Sequence, residues 1–170
     1  ERIRARALAM ESTDQIGEIS THLFEEFQGL GFSQRFLSIV LIDDEAKTTR
    51  SWAHVGWGES PITTTATDEI REDLWDGEEL RWQRQKTTIK AWRQGQAWDS
   101  YTMSVNDLRG FFRTAWSDID DDEFERRIAA FGGTIYGHSV FHRHGQLSVS
   151  GREPLTDEGL RAAKRFADLF

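Results

Sequence analysis

Two histidines in this sequence lie two positions from a large aromatic residue, a spacing that could build a binding surface. Trp52 precedes His54 by two residues, and Tyr136 precedes His138 by two. Side chains at alternate positions of a β-strand share one face of the sheet, so each pair presents a ring and an imidazole together. If both pairs look the same way, they form one wall of a small-molecule pocket. The alternative is a half-exposed sheet face on which these side chains contact water and a covering helix.

Tryptophan is unusually frequent, with 7 Trp against 2 Tyr. All seven lie between positions 52 and 116, in the middle of the chain. Each buried indole carries an N–H that needs a hydrogen-bond partner, so this region is either a bulky core or the lining of a pocket. We expect seven residues to line such a pocket: Trp52, His54, Trp82, Trp92, Trp98, Tyr136 and His138.

The histidines do not complete a metal site or a catalytic motif. A zinc site needs three or four protein ligands, whereas His54 and His138 are far apart in the sequence and have no clear third ligand. His142 and His144 flank Arg143 in a predicted turn, where alternate side chains need not share a face. The chain has no cysteine, no nucleophile elbow, no phosphate loop and no zinc-protease pattern. We therefore predict no catalytic residues, no metal and no cofactor.

The composition favours one acidic folded domain. The chain has 170 residues and a formal net charge of −8. A chain of this length buries roughly two-thirds of its unfolded surface, so a single core is expected. Negative charge disfavours nonspecific nucleic-acid binding, and no apolar run approaches the roughly 20 residues that span a bilayer. We expect no nucleic-acid partner and no membrane contact by this segment, which starts at Glu1 and ends inside a predicted helix as a piece of a longer protein does.

Apolar periodicity, caps and glycines predict the elements that position these side chains. The predicted helical segments are Glu1–Glu11, Ile16–Leu30 after a cap at Ser12, Asp68–Gln94 with a break at Asp76-Gly77, Asn106–Trp116 as short helix or turn, Asp118–Phe131 and the run from the Thr156 cap to Phe170. The predicted strands are Phe36–Ile42, Thr48–Trp57, Ile62–Ala66, Trp98–Val105, Thr134–Phe141 and Gln146–Ser150. This order predicts an α+β fold in which helices flank an antiparallel sheet.

Two segments resemble the GAF-like sensory domains of bacterial two-component signalling proteins. The N-terminal part of those domains resembles Glu1–Met10, the capping serine and a second helix that ends in Phe27 and Leu30-Gly31. Its exit helix is similar to Lys164–Phe170, which follows a predicted hairpin and a turn at Glu153-Pro154-Leu155. The chain departs from better-known members in lacking a cysteine for bilin attachment and a cyclic-nucleotide motif.

The resemblance implies a cytoplasmic sensory module with a ligand cavity on one face of its sheet. It implies an N-terminal signalling helix over residues 1–11 and a GAF-like domain over residues 12–170 that ends in the exit helix. It also implies a homodimer through these terminal helices, which continue toward an output module in the same polypeptide, such as a histidine kinase.

We therefore expect a regulatory domain that senses an unknown small molecule and is not itself an enzyme. Ligand would fill a cavity roofed by the middle helices and shift the population of terminal-helix geometries. Two alternatives stay open. One is a structural dimerisation spacer that transmits motion without binding anything, and the other is a small α+β enzyme that uses His54 or His138 as general base.

Overall fold

Six antiparallel strands form one open sheet in the computed structural model, which describes residues 16–29, 34–55, 62–115 and 119–170. The strands are β1 (Gln34–Asp43), β2 (Thr48–Val55), β3 (Ile62–Glu69), β4 (Trp98–Ser104), β5 (Thr134–His142) and β6 (Gly145–Gly151). Their order is β3-β2-β1-β6-β5-β4, so the first and last strands pair at the centre. The predicted α+β class with an antiparallel sheet is confirmed.

Helices lie before, between and after these strands. They are α1 (Ile16–Gly29), α2 (Leu80–Arg93), α3 (Arg109–Ala115), α4 (Asp121–Phe131) and α5 (Asp157–Ala167), with 3₁₀ turns at Glu72–Leu74 and Val105–Leu108. The helix predicted over Glu1–Glu11 lies outside the described residues. So does Ser12, which is predicted to cap the next helix. Within the described part of the chain, no helix is long and apolar enough to cross a membrane.

Side-chain caps fix the starts of two helices. Thr156 Oγ1 accepts the backbone N–H of Gly159 at 3.2 Å, as the sequence predicts for α5. Asp120 Oδ1 accepts the N–H of Glu123 at 2.8 Å at the start of α4. That helix ends at Gly132, whose φ of 79° is the left-handed conformation that glycine adopts at little cost.

The prediction of helical structure from Asp68 to Gln94, with a break at Asp76-Gly77, is wrong in its first part. β3 continues to Glu69, which pairs with Thr48 of β2, and a 3₁₀ turn follows before α2 begins at Leu80. Pairing with β2 overrides the helix propensity of these residues, because the neighbouring strand offers a full ladder of hydrogen bonds.

One face of the sheet, the first face, packs against α1 and α5. Its large apolar residues alternate along four strands: Leu37 and Ile39 of β1, Trp52 of β2, Val140 of β5, and Leu147 and Val149 of β6. Burying each Leu or Ile side chain contributes roughly 1.5–3 kcal/mol. The first face is therefore the main apolar core among the described residues.

The opposite or second face packs against the middle of the chain. It carries two separate apolar clusters. One cluster joins α3 and α4 to β5 and consists of Val105, Phe112, Phe124, Ile128 and Ile135, with Phe36 packed against it. The other joins α2 and the preceding turn to β1 and consists of Ile42, Ile70, Trp75 and Ile89, with Trp82 and Trp92 packed against it.

Ion pairs hold the end of α2 to the turn between β1 and β2. The Arg93 guanidinium lies 2.5 Å from an Asp44 carboxylate oxygen and 2.6 Å from Glu72. Lys47 pairs with the same two acids. The Arg93 hydrogen bonds, followed by those of Lys47, lower the pKa of Asp44 to about 2. This network links the end of α2 to the β1–β2 turn and to the 3₁₀ turn at Glu72–Leu74.

Replacing Gly145 with alanine tests the central strand pairing. A Cβ at Gly145 would lie 2.0 Å from the carbonyl oxygen of Val40 on β1, and backbone cannot move away as a side chain can. We expect Gly145→Ala to lower the free energy of unfolding by about 3 kcal/mol, measured by urea denaturation. The control is Gly29→Ala, where nothing lies within 4 Å and the change should stay within about 1 kcal/mol. Equal stability of both variants would contradict the pairing.

Candidate functional site

The four residues of the two predicted pairs lie on the first face. Trp52 pairs across the ladder with Ile39, His54 pairs with Leu37, and both are buried under α1. The His54 ring lies 4.4 Å from the ring of Phe24, and burial lowers the pKa of this histidine. The two pairs therefore share one face of the sheet, and α1 and α5 cover it with apolar side chains.

His138 is held by hydrogen bonds at both ring nitrogens. Its Nε2 accepts the backbone N–H of Leu155 at 2.9 Å, and its Nδ1 lies 2.8 Å from Ser100 Oγ. Because Nε2 accepts, the proton of the neutral ring belongs to Nδ1, which donates to the serine. Burial lowers the pKa of His138. Both nitrogens thus have structural partners beside the start of α5, which argues against a general base here.

The remaining predicted residues are divided between the two faces. Tyr136 is half-buried on the first face, and Trp98 lies on edge strand β4 with 43% of its surface exposed. Trp82 and Trp92 pack on the second face, where Trp92 Nε1 donates to the carbonyl oxygen of His142 at 3.0 Å. The seven residues therefore do not form one wall, and their contact with a ligand stays a prediction.

A row of small polar side chains crosses the second face between its two apolar clusters. Ser38 of β1 pairs with Ser148 of β6, which pairs with Ser139 of β5. Ala53 of β2 continues the row on one side and Asp99 of β4 on the other. The three serines are between 1% and 7% exposed, so the covering segments shield them from bulk water. We call Ser38, Ser139 and Ser148 the serine row.

The apolar clusters lie on either side of the serine row along β1. Successive second-face residues of this strand are Phe36, Ser38, Val40 and Ile42. Phe36 packs with the α3–α4 cluster and Ile42 packs with the α2 cluster. Packed layers are separated by roughly 10 Å, and large side chains normally fill that distance. Serine side chains fill little of it themselves, and the low exposure of the three serines means that other parts of the chain cover the row.

A stacked and ion-paired group lies at the β4 end of the serine row. Gly137 lets the Tyr101 ring lie flat across β5, because a Cβ there would come within 2.2 Å of a ring carbon. The Arg84 guanidinium lies 3.6 Å from the centre of that ring and 3.3 Å from an Asp99 carboxylate oxygen. Arg84 and Asp99 are both largely buried, so the pair forms a neutral wall at this end.

Gln146 lies two residues before Ser148 on β6, so both side chains are on the second face. Its side-chain Oε1 is buried and has no hydrogen-bond partner among the described residues. A buried carbonyl oxygen without a donor costs free energy, and such groups are uncommon in folded proteins. The serine row and Gln146 together form our candidate site: a neutral, hydrogen-bonding floor between aromatic clusters.

This chemistry suits binding rather than catalysis. Small-molecule sites combine apolar walls with a few placed polar groups, and hydroxyl and amide groups both donate and accept. Neither the serine row nor Gln146 supplies a titratable group for proton transfer near neutral pH. Among the described residues, no group of three or more His, Cys, Asp or Glu side chains is placed to hold a metal ion.

Sequence reasoning missed the serine row because it followed rare residue types. The signal is present as alternation: Ser38 lies between Leu37 and Ile39, and Ser148 lies between Leu147 and Val149. Such strands place large apolar side chains on one face and small polar ones on the other. Without the register between strands, however, the serines of three separate segments cannot be aligned into one row.

An open cleft of about 680 Å³ lies elsewhere, at the end of the sheet beside the last residues of the chain. Its lining includes Asp43, Asp44 and Glu45 of the turn after β1, together with Leu169 and Phe170. This acidic cleft shares no residue with the serine row.

His142, at the end of β5, is buried at 6% exposure near the C-terminal turn. Its Nδ1 accepts the N–H of His144 at 3.3 Å, its Nε2 is buried with no partner among the described residues, and its ring lies 5.8 Å from that of Phe170. Burial, followed by repulsion from His144, lowers the pKa of His142 to about 4. The folded protein therefore holds this ring neutral at pH 7.

The His142 pKa predicts acid sensitivity over a defined range. Between about pH 6.5 and pH 4 the unfolded chain binds a proton at this position and the folded chain does not, so stability falls as the pH is lowered. We expect His142→Asn, whose Oδ1 can replace Nδ1 as acceptor, to reduce this fall by about 2–3 kcal/mol in urea titrations at pH 7, 5.5 and 4. His22→Asn on the surface of α1 is the control. An unchanged pH profile in the His142 variant would contradict the assignment.

Comparison of the chain with protein-family models, curated proteins and solved structures finds no match.

Proposed function

We propose that this chain is a small-molecule-sensing regulatory domain whose ligand binds over the serine row on the second face of the sheet. The main support for this proposal is the row itself, with the buried Oε1 of Gln146 beside it, which has no hydrogen-bond partner among the described residues. Apolar clusters bound the row on two sides, and the Arg84–Asp99 pair bounds it on a third. The GAF-like resemblance of the two ends of the chain is a second support.

The same central strands connect the proposed site to both end helices. Ser38 and Ser148 point to the second face, while their neighbours Leu37, Ile39, Leu147 and Val149 pack on the first face in the core shared with α1 and α5. A ligand that spreads or flattens β1 and β6 would therefore move the surface on which those helices lie. Coupling requires that ligand affinity differ between the two helix arrangements.

In this proposal α1 and α5 carry the signal to an output module in the same polypeptide, such as a histidine kinase, and the domain works as a homodimer through its terminal helices in the cytoplasm. α1 lies on β1 and β2, and α5 lies on β5 and β6, so the two helices share one face of the sheet. That placement gives both helices direct contact with the strands that carry the serine row.

Binding can be tested by screening water-soluble metabolites against the 170-residue chain by ¹H–¹⁵N NMR. We expect at least one compound to shift the signals of the serine row, and Ser148→Val to weaken its binding by about tenfold or more, since the added methyl groups fill the row and remove a hydroxyl. Thr65→Val, the same kind of change on an exposed position of β3, is the matched control. Shifts confined to the acidic cleft, or no binding by any compound, would contradict the proposed site and favour the spacer.

Coupling can be tested separately with spin labels, because the chain has no native cysteine. Glu18→Cys on α1 and Arg161→Cys on α5 place labels at exposed positions of the two end helices. We expect the distance distribution between them to change when a compound that binds the serine row is added. The same distribution with and without that compound would mean binding without signalling.

A further inference from the structure

The outer edge of β3 presents backbone hydrogen-bonding groups with no strand beside them in the described part of the chain. Just beyond the β2–β3 ladder, the Ile70 N–H donates to the Lys47 carbonyl oxygen at 2.8 Å. Hydrogen-bonded pairs alternate along an antiparallel ladder, so every second residue of β3 directs its N–H and C=O away from β2. These outward-facing residues are Thr63, Thr65, Thr67 and Glu69.

β3 lacks three features that usually keep an edge strand from pairing with another chain, namely lysine, proline and a β-bulge. The strand contains neither lysine nor proline, and its register with β2 runs from Glu69 to Ile62 without a shift. Residues 65–69 are exposed. Threonine, the most frequent residue of the strand, is β-branched and favours extended backbone. This edge is therefore suited to accept a further strand.

The charge of the edge does not oppose the approach of a second copy, although the whole chain carries a net charge of −8. The first six residues of β3 are uncharged. Of the two acids that follow, Asp68 lies 3.6 Å from the Arg81 guanidinium and Glu69 lies 3.9 Å from that of Arg71. Each acid thus has a positive charge beside it, which reduces repulsion between two such edges.

An antiparallel two-fold register through Ala66 makes the edge complementary to itself. In this register Ala66 lies opposite Ala66 of the second copy, and Thr65 lies opposite Thr67. The outward-facing residues then form pairs that exchange both of their backbone hydrogen bonds. Asp68 and Glu69 lie opposite threonines rather than opposite acids, which avoids the cost of facing like charges.

We infer that β3 pairs with β3 of a second copy of this chain, in the antiparallel register centred on Ala66, and joins two sheets into one. Alanine and threonine side chains are small enough for an identical strand to approach closely, and threonine pairs across neighbouring strands are favourable. This interface lies at the edge of the sheet and does not depend on ligand binding at the serine row.

Thr65→Pro tests the interface by sedimentation velocity of the 170-residue chain. Proline removes an N–H that faces away from β2, so the substitution removes no hydrogen bond from the β2–β3 ladder. We expect the wild type to be dimeric at about 100 µM and the variant to raise the dimer Kd at least about tenfold, because the partner carbonyl loses its donor in both symmetric pairs. Urea denaturation checks that the variant folds.

Thr102→Pro is the matched control at the opposite edge of the sheet. The Phe141 N–H donates to the Ala97 carbonyl oxygen at 3.0 Å, so Thr102 of β4 also directs its N–H away from the neighbouring strand. Its side chain is exposed, as that of Thr65 is. We expect Thr102→Pro to leave the dimer Kd unchanged.

A single cysteine tests the register without a proline, because the chain has no native cysteine. Directly opposite residues of an antiparallel pair have Cβ atoms about 4.5–5.5 Å apart, close to the separation in a disulfide. Under mild oxidation we expect Ala66→Cys to form a covalent dimer at least about tenfold faster than Asp68→Cys. The latter is on the same face but lies opposite Thr64 of the second copy.

Three results would overturn the inference. They are a wild type that stays monomeric up to about 1 mM, a dimer that Thr65→Pro leaves intact, and equal crosslinking of the two cysteine variants. A dimer that both proline variants retain would lie on another surface, such as the end helices, and would leave the proposed function standing.

Discussion

The pairing of the first strand with the last is the constraint on which the rest of this structure depends. β1 and β6 are separated by more than 100 positions in the sequence and lie side by side at the centre of the sheet, with Gly145 pressed against the backbone of Val40. This one ladder joins two groups of three strands, β3-β2-β1 and β6-β5-β4, into a six-stranded sheet. It also aligns Ser38 with Ser148, so the candidate site exists only because this pairing forms.

The two faces of the sheet differ in how they are packed. On the first face, large apolar side chains pack against α1 and α5 and leave the histidines buried with their pKa values lowered. On the second face, apolar packing is interrupted by the serine row and by an amide whose Oε1 has no partner among the described residues. Interruptions of this kind cost stability and are common where proteins bind ligands.

The sequence predicts what is local and misses what depends on pairing. The Thr156 cap, the strand at Phe36–Ile42 and the shared face of Trp52 with His54 follow from residue type and alternation, and the structure confirms them. The strand at Asp68-Glu69 and the serine row depend on which strands become neighbours, and local sequence patterns do not predict the order of the strands. The tryptophan excess indicated a pocket or a bulky core in the middle of the chain. There Trp75, Trp82 and Trp92 pack in the α2 cluster, on the face of the sheet opposite Trp52.

The central claim is that the second face holds a ligand over the serine row, and a high-resolution crystal structure of the purified chain tests it most directly. The account predicts non-protein density larger than a water molecule within hydrogen-bond distance of Gln146 Oε1 and of at least one of Ser38, Ser139 and Ser148. Side chains of the covering helices packed directly on the row, with Gln146 Oε1 and the hydroxyls bonded within the protein, would contradict it.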